Sequence, residues 1–501
     1  MTIILVNPPS APGTTANREG SGGLGVATPG TGGFVYPPQT LAYVAASLRE
    51  AGYAVIALDA VAEGLTLNEI LTRLSQTAIE GELLLNDKET RRQGDKETSP
   101  PLPLSPSPRL PVSPSPLAIG VLVSVATLEA DLDFVNALAQ AQPDVPIFVF
   151  GNGVRYVWRQ VLENSAARLA VLGEAEFHAP AAVEALLAGD PQALAELPGV
   201  ACLRSGEPVH RPVAPQPAEL LDALPYPAWD LLPHDRYPFL TLAASRGCDD
   251  GCAYCPYVAA QGPFRPRSPK AVAEEARWLE RTFRPPRLIF RDPAFAADRE
   301  RAVELCEALR RARVRTPWAC ESRPEHFDAD LLYRLRRAGC QTVKLGLETV
   351  DEALLWGVNR LLPGWTATRY RAHVAELVAT CRRLGLNCRL FVMTGLPGET
   401  RQALEATLAF LQAVRPPAVN VTRYRPYPGT RLGEKMGHAS GLPALPEADL
   451  VRFEAAMRAA AAQAPLPLGG VRGGLPRPSM LRRLRRRMVS RTAKQAEGDS
   501  L

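Results

Sequence analysis

The stretch Phe239-Leu240-Thr241-Leu242-Ala243-Ala244-Ser245-Arg246-Gly247-Cys248-Asp249-Asp250-Gly251-Cys252-Ala253-Tyr254-Cys255 runs from an apolar segment directly into three cysteines spaced C-x3-C-x2-C. Phe239–Ala243 reads as a strand. The cysteines therefore fall in the loop at its carboxyl end, where β/α barrels build their active sites. Three thiolates can grip three irons of a [4Fe-4S] cube and leave the fourth open. A structural zinc ion would need a fourth ligand, and His234 lies well upstream while the other five histidines are isolated.

Strand signals continue downstream at Arg287–Phe290, Thr316–Ala319, Val343–Leu347, Arg389–Thr394 and Ala418–Arg423. Six βα repeats over residues 237–435 predict a partial (β/α)6 TIM-type barrel. Asp292 and Arg323 follow its second and third strands as pocket candidates. Upstream, strands at Thr2–Val6, Tyr53–Leu58, Leu117–Val125, Pro146–Phe150 and Arg168–Leu172 alternate with helical stretches. This predicts an α/β fold with a Rossmann-like parallel sheet over residues 1–190, ligands lying beyond the carboxyl ends of its strands. Ser10–Gly33 reads as a mobile loop, and residues 191–236, rich in proline, as an irregular linker. Residues 87–116 hold a Ser/Pro repeat that suits neither helix nor ladder and read as a disordered insertion. Residues 436–501 form a helical extension with a basic tail, where Leu481, Leu484 and Met488 recur among five arginines. A solvated tail suits that pattern best, with weak contact to anionic membrane lipid, or to nucleic acid, through a basic amphipathic helix as the alternative.

The chain has 501 residues, 46% hydrophobic and 22% charged, and its net charge of +5 gives no clear sign of a nucleic-acid partner. Nine cysteines are an odd number and only three cluster, which argues against a disulfide framework. The other six read as small buried hydrophobes. The N-terminus has neither a basic n-region nor a membrane-length apolar run, so the expected location is cytoplasmic.

The cysteine segment resembles the cluster loop of the radical SAM superfamily. The resemblance implies that Cys248, Cys252 and Cys255 hold a [4Fe-4S] cluster whose open iron binds S-adenosylmethionine. Tyr254 matches the aromatic near the adenine, although local packing would explain it equally. Glu348, ending the fourth strand in Gly346-Leu347-Glu348, resembles the polar residue that contacts the amino acid or ribose; a surface glutamate at a helix start is the alternative. Gly395 and Gly398, in Gly395-Leu396-Pro397-Gly398-Glu399-Thr400, resemble the turn bordering the adenine; a tight turn into a helix is the alternative.

The N-terminal half resembles the cobalamin (B12)-binding domain that precedes many radical SAM barrels. Asn7-Pro8-Pro9, Asp59 through Gly64, Ser124 through Thr127, Gly151-Asn152-Gly153 and Gly173-Glu174-Ala175-Glu176 carry this resemblance. It implies corrin contacts at Asp59, Gly64, Ser124, Gly151 and Gly153. Val61 stands where mutase-type domains place the cobalt-ligating histidine, so cobalt would lack that nitrogen, or the domain no longer binds corrin. The expected activity is reductive cleavage of S-adenosylmethionine to a 5′-deoxyadenosyl radical, with methylation of an unactivated centre of a small-molecule substrate (a class B-type methyltransferase). Flavodoxin or ferredoxin would donate the electron. A cobalamin-linked cyclisation, rearrangement or oxidation, or a non-catalytic corrin and Fe-S binding module, are the alternatives.

Overall fold

A computed structural model describes residues 2–30, 35–74, 118–436 and 445–461. The chain divides into two compact units: Met1–Ile289 with Pro426–Gly437, and Phe290–Arg425 with His438–Leu501. The Ser/Pro repeat and the arginine-rich tail lie outside the described residues.

The first unit is built on a seven-stranded sheet. Its parallel strands are β1 (Thr2–Asn7), β4 (Ala54–Asp59), β5 (Ala118–Leu122), β6 (Ile147–Phe150) and β7 (Leu169–Val171), in spatial order β4-β1-β5-β6-β7. Every residue of β1, β5 and β6 is buried, as expected for parallel strands covered on both faces. Alternate side chains serve opposite faces. Ile4, Val6, Ile119, Val121 and Val149 pack with Val135, Leu138, Val157 and Val161 from the helices Leu128–Ala141 and Val154–Asn164.

Two expectations are corrected here. Residues 191–236 are not irregular throughout: β8 (Val200–Arg204) and β9 (Glu207–His210) add two antiparallel strands beside β7. Ser205 and Gly206, both at positive φ (53° and 84°), make the two-residue turn that such a hairpin requires. The Ser10–Gly33 loop also has internal structure, with β2 (Thr14–Asn17) pairing antiparallel with β3 (Val26–Pro29).

Later in the same unit come β10 (Leu240–Leu242) and a two-stranded ribbon of β11 (Ser245–Arg246) and β12 (Arg265–Pro266). β13 (Leu288–Phe290) straddles the boundary between the units. The second unit contains β14 (Trp318–Ser322), β15 (Cys340–Glu348), β16 (Asn387–Thr394) and β17 (Ala418–Arg423), parallel and adjacent in chain order. β14 begins later than expected because Pro317, just before it, has no amide proton to offer a ladder. In β16 buried and half-buried residues alternate: Cys388, Leu390, Val392 and Thr394 are buried, while Arg389, Phe391 and Met393 are half-buried. Glu321, Lys344 and Arg389 form one cross-strand row. Side-chain caps start the helices cleanly: Asp298 for Arg299–Arg311, Asp328 for Ala329–Arg337, Thr366 for Ala367–Leu384 and Thr400 for Arg401–Val414. Cys202, Cys306, Cys320, Cys340, Cys381 and Cys388 are buried free thiols, in keeping with their reading as small hydrophobes. Among the described residues no helix is long and apolar enough to cross a membrane.

Candidate active site

The cysteine loop leaves β11 and returns through β12, with Arg246 opposite Arg265 in the ribbon. Gly247 is at φ 73°, and a Cβ there would lie 1.9 Å from the Pro263 carbonyl oxygen, so only glycine fits this crossing. The Cys248 amide donates to the Gly262 carbonyl (3.1 Å), and the Cys255 amide donates to the Cys252 carbonyl (3.1 Å). Cys255 then caps the short helix Pro256–Gln261. None of the three is in a disulfide; Cys248 and Cys252 are buried and Cys255 is half-buried. The Cys248 thiol donates to Asp250 Oδ2 (3.2 Å), and burial together with the Asp250 charge pushes its pKa well up. Tyr254 is half-buried beside Cys255. Among the described residues no three His, Cys, Asp or Glu side chains converge tightly enough to grip an ion as they stand. The donor set nevertheless suits an iron–sulfur cluster: three cysteine sulfurs on one loop, none spent in a disulfide.

Distant parts of the same unit hold this loop. Tyr156 Oη donates to the Ala259 carbonyl (2.6 Å), and the Leu432 amide donates to the Ala253 carbonyl (2.8 Å). Arg431 donates to the Gly251 carbonyl, and a Cβ on Gly22 would lie 3.1 Å from Tyr257 Cα. Sequence reasoning missed Tyr156 and Arg431, because nothing local marks a residue whose partner is more than a hundred positions away.

At the carboxyl edge of the first sheet, Asp59 ends β4 and is fully buried. Its Oδ1 accepts from Asn7 Nδ2 (2.7 Å) and from the Val61 and Ala62 amides, and its Oδ2 accepts from Tyr237 Oη (2.7 Å). Burial raises the Asp59 pKa against the opposing pull of these donors. Arg18, from the hairpin loop, donates to Asn7 Oδ1 (2.9 Å), to the Pro8 carbonyl (2.8 Å) and to Asp131. Asp131 in turn accepts the Ser124 amide (3.1 Å) and the Thr127 hydroxyl (2.7 Å). Asn7, Asp59 and Ser124 thus belong to one buried polar network closed by Arg18, which the sequence reading did not single out. Gly151 follows β6 at φ 147°, and a Cβ there would come within 2.3 Å of the Val123 carbonyl. Gly64 and Gly153 sit at helix boundaries, Gly64 after Ala60–Glu63 and Gly153 before Val154–Asn164. Val61, half-buried, offers no nitrogen. This edge therefore suits a corrin only in a form whose cobalt takes no imidazole from that position.

In the second unit, Glu348 ends β15 at φ 63°, unusual for a residue with a side chain, beside a register shift between Gly346 and Glu348. Such strain is characteristic of functional positions. Arg360 lies 3.9 Å from Glu348 Oε1 and donates to the Gly346 carbonyl; Tyr370 Oη donates to the Gly346 and Leu347 carbonyls (3.0 and 3.1 Å). Arg323, buried, pairs with Glu325 (2.7 Å), and the Arg360 and Arg323 charges outweigh burial to hold the Glu325 carboxyl low. Asp292 is fully buried just after β13. Gly395 and Gly398 (φ 74° and 81°) form the turn after β16, and Glu399 Oε2 accepts the Gly395 amide at 2.6 Å. Burial, with Glu454 and Asp351 nearby, pushes the Glu399 carboxyl up to about 7. Glu454, on the helix Glu447–Ala459, accepts from Thr394 Oγ1 and Arg423 Nε (both 2.9 Å) at the ends of β16 and β17.

Residues 242–411 match the Radical SAM superfamily. The chain is 28% identical over 270 residues to the uncharacterized methyltransferase PH0819 of Pyrococcus horikoshii, covering 53% of this chain and 57% of that protein. It is 26% identical over 241 residues to the anaerobic magnesium-protoporphyrin IX monomethyl ester cyclase of Rubrivivax gelatinosus, covering 46% and 42%. It thus spans about half the length of these curated relatives. Among solved structures it resembles the methyltransferase TsrM from Kitasatospora setae with cobalamin and a [4Fe-4S] cluster bound: TM-score 0.61, 18% identity, 87% of this chain and 77% of that one. OxsB with aqua-cobalamin and S-adenosylmethionine bound gives a TM-score of 0.61 at 17% identity, over 84% of this chain and 53% of that one. Residues 242–411 thus carry a Radical SAM superfamily domain, and the chain has an α/β fold shared with TsrM and OxsB.

Proposed function

We propose that this chain is a radical SAM enzyme that uses a cobalamin to methylate an unactivated centre of a small molecule. The observation that carries the reading is the set of three cysteines outside any disulfide, Cys248, Cys252 and Cys255, on the loop following β11 inside the matched domain. When bound, the cluster supplies the electron that splits S-adenosylmethionine into methionine and a 5′-deoxyadenosyl radical, and cobalamin supplies the transferred methyl group.

The chain's own residues hold and orient. Cys248, Cys252 and Cys255 would ligate the cluster, and their number leaves one iron for S-adenosylmethionine. Glu348, its backbone fixed by the Tyr370 and Arg360 contacts to β15, presents a carboxylate for the ammonium or ribose of S-adenosylmethionine. Gly395, Gly398 and Tyr254 would border the adenine. Asp59, Gly64, Ser124, Gly151 and Gly153 line the edge on which a corrin would lie, where Gly151 permits close backbone approach. A reduced flavodoxin or ferredoxin would deliver the electron.

The test is anaerobic reconstitution with iron, sulfide, dithionite and S-adenosylmethionine, assayed for 5′-deoxyadenosine. The wild type should form the nucleoside, and Cys252→Ala should lose both the nucleoside and the brown absorbance. Normal cleavage by that variant would sink the ligand assignment. The similarity to the cyclase of Rubrivivax gelatinosus favours ring closure as the second reading. A product heavier by one methyl group supports methylation, and loss of hydrogen at unchanged carbon count supports cyclisation.

A further inference from the structure

The segment Gly173-Glu174-Ala175-Glu176 does more in this fold than start the helix Ala175–Ala188. The ribbon at the neck of the cysteine loop sets Arg246 opposite Arg265, two like charges on neighbouring strands that repel each other. Glu174 lies between them: its Oε1 accepts from Arg246 (2.7 Å) and its Oε2 from Arg265 (2.9 Å). Glu176 takes the other end of the Arg246 guanidinium. All four side chains are nearly shut off from water, at 14% exposure for Arg246, 8% for Arg265, 9% for Glu174 and 4% for Glu176. Burial alone would raise the Glu174 carboxyl, but the two arginines hold it down at about 2, so it is ionised at neutral pH.

The clasp reaches both ends of the loop. Arg246 stands two residues before Cys248. Arg265 donates to the Gln261 carbonyl (2.7 Å) at the end of the helix that Cys255 starts, and to the Gln216 carbonyl (2.6 Å). Gln216 returns its own amide to Glu174 (2.8 Å). Inside the neck, the Gly247 amide donates to Gln261 Oε1 (3.1 Å), and the Cys248 amide to Gly262. Glu174 and Glu176 therefore fix the two ends between which the three cysteines are spaced.

We infer that Glu174 and Glu176 are positioning residues for the cysteine loop, acting through Arg246 and Arg265 to set where Cys248 stands relative to Cys252 and Cys255. The inference rests on the reading that this loop receives an iron–sulfur cluster. Charge and fixed geometry in the neck favour one arrangement of the three sulfurs, and neutralising Glu174 leaves two buried guanidiniums facing each other with Glu176 alone.

The experiment uses the full chain with Glu174→Gln, Glu174→Asp and Glu176→Gln. Hydrogen exchange of residues 245–266 is measured on metal-free protein, and iron loss to a chelator on reconstituted protein. Electron paramagnetic resonance is recorded after dithionite, with and without S-adenosylmethionine. Support from a ligand's orienting partners is commonly worth about 10–100-fold in metal affinity, so Glu174→Gln should lose iron about tenfold faster. It should also exchange faster across the neck and give a broadened or altered cluster spectrum. Glu174→Asp should recover part of each effect, which a general loss of fold stability would not reproduce. Should Glu174→Gln fail to fold, Glu176→Gln, which leaves Glu174 between both arginines, should show the same changes in smaller measure. Unchanged neck exchange and unchanged iron loss in the variants would overturn the inference. If the wild type takes up no iron, the cluster reading fails, while exchange on the metal-free protein still decides the clasp.

Discussion

Replacing Glu399 by glutamine should remove a pH dependence of stability from the second unit. The carboxyl is 2% exposed, lies near Glu454 and Asp351, and is raised from an ordinary 4.5 to about 7. A carboxyl whose folded value is raised stays protonated in the folded chain while the unfolded chain has already released the proton. Its stability is full below about 4.5 and falls as pH rises to about 7, then levels off. The difference of about 2.5 pH units, at ~1.4 kcal/mol each, corresponds to about 3 kcal/mol between the two plateaus. Glutamine keeps an oxygen that can accept the Gly395 amide but cannot ionise. Urea denaturation of wild type and Glu399→Gln at half-unit intervals from pH 4.5 to 8.5 would measure the difference between them. That difference should grow in favour of the variant up to about pH 7 and then flatten. A difference independent of pH, or one growing in favour of the wild type, would refute the placement of a neutral carboxyl in this turn.

Arg18→Met should destabilise by about 3–5 kcal/mol, because it strands Asp131, fully buried, without its guanidinium; Arg18→Met with Asp131→Asn should recover much of the loss in thermal melts. Gly151→Ala should lower the melting temperature, at a cost of about 1–3 kcal/mol for the disfavoured backbone and more for the contact with the Val123 carbonyl; an unchanged melt would mean that this turn yields freely. Glu348→Gln should weaken S-adenosylmethionine binding in the reconstituted protein while leaving iron content intact, measured by equilibrium binding and iron assay; full affinity would remove Glu348 from the site.

What the sequence made legible was local. Cys248, Cys252 and Cys255 lie within eight positions, so their spacing carries its chemistry on its face. Stretches such as Ile3–Val6 and Ile147–Phe150 are continuous apolar runs, and covering both faces of a sheet leaves few other readings. β8 and β9 escaped because prolines surround them and only Ser205-Gly206 signals their turn. Glu348 could be read from the end of its strand, whereas Arg360, which braces the same strand end, could not: its role depends on how the chain folds back after Trp356. Arg18 was hidden for the same reason. A guanidinium in a glycine-rich loop looks solvated until Asp131, 113 positions later, arrives beneath it.

The two arginines at the neck of the cysteine loop are neutralised from more than seventy residues upstream. Excising the segment that the superfamily match outlines would therefore carry Arg246 and Arg265 away with no counter-ions. The recognisable third of this protein is not a portable cassette: its electrostatic housing was laid down earlier in the chain, and any transplant would have to bring that housing along.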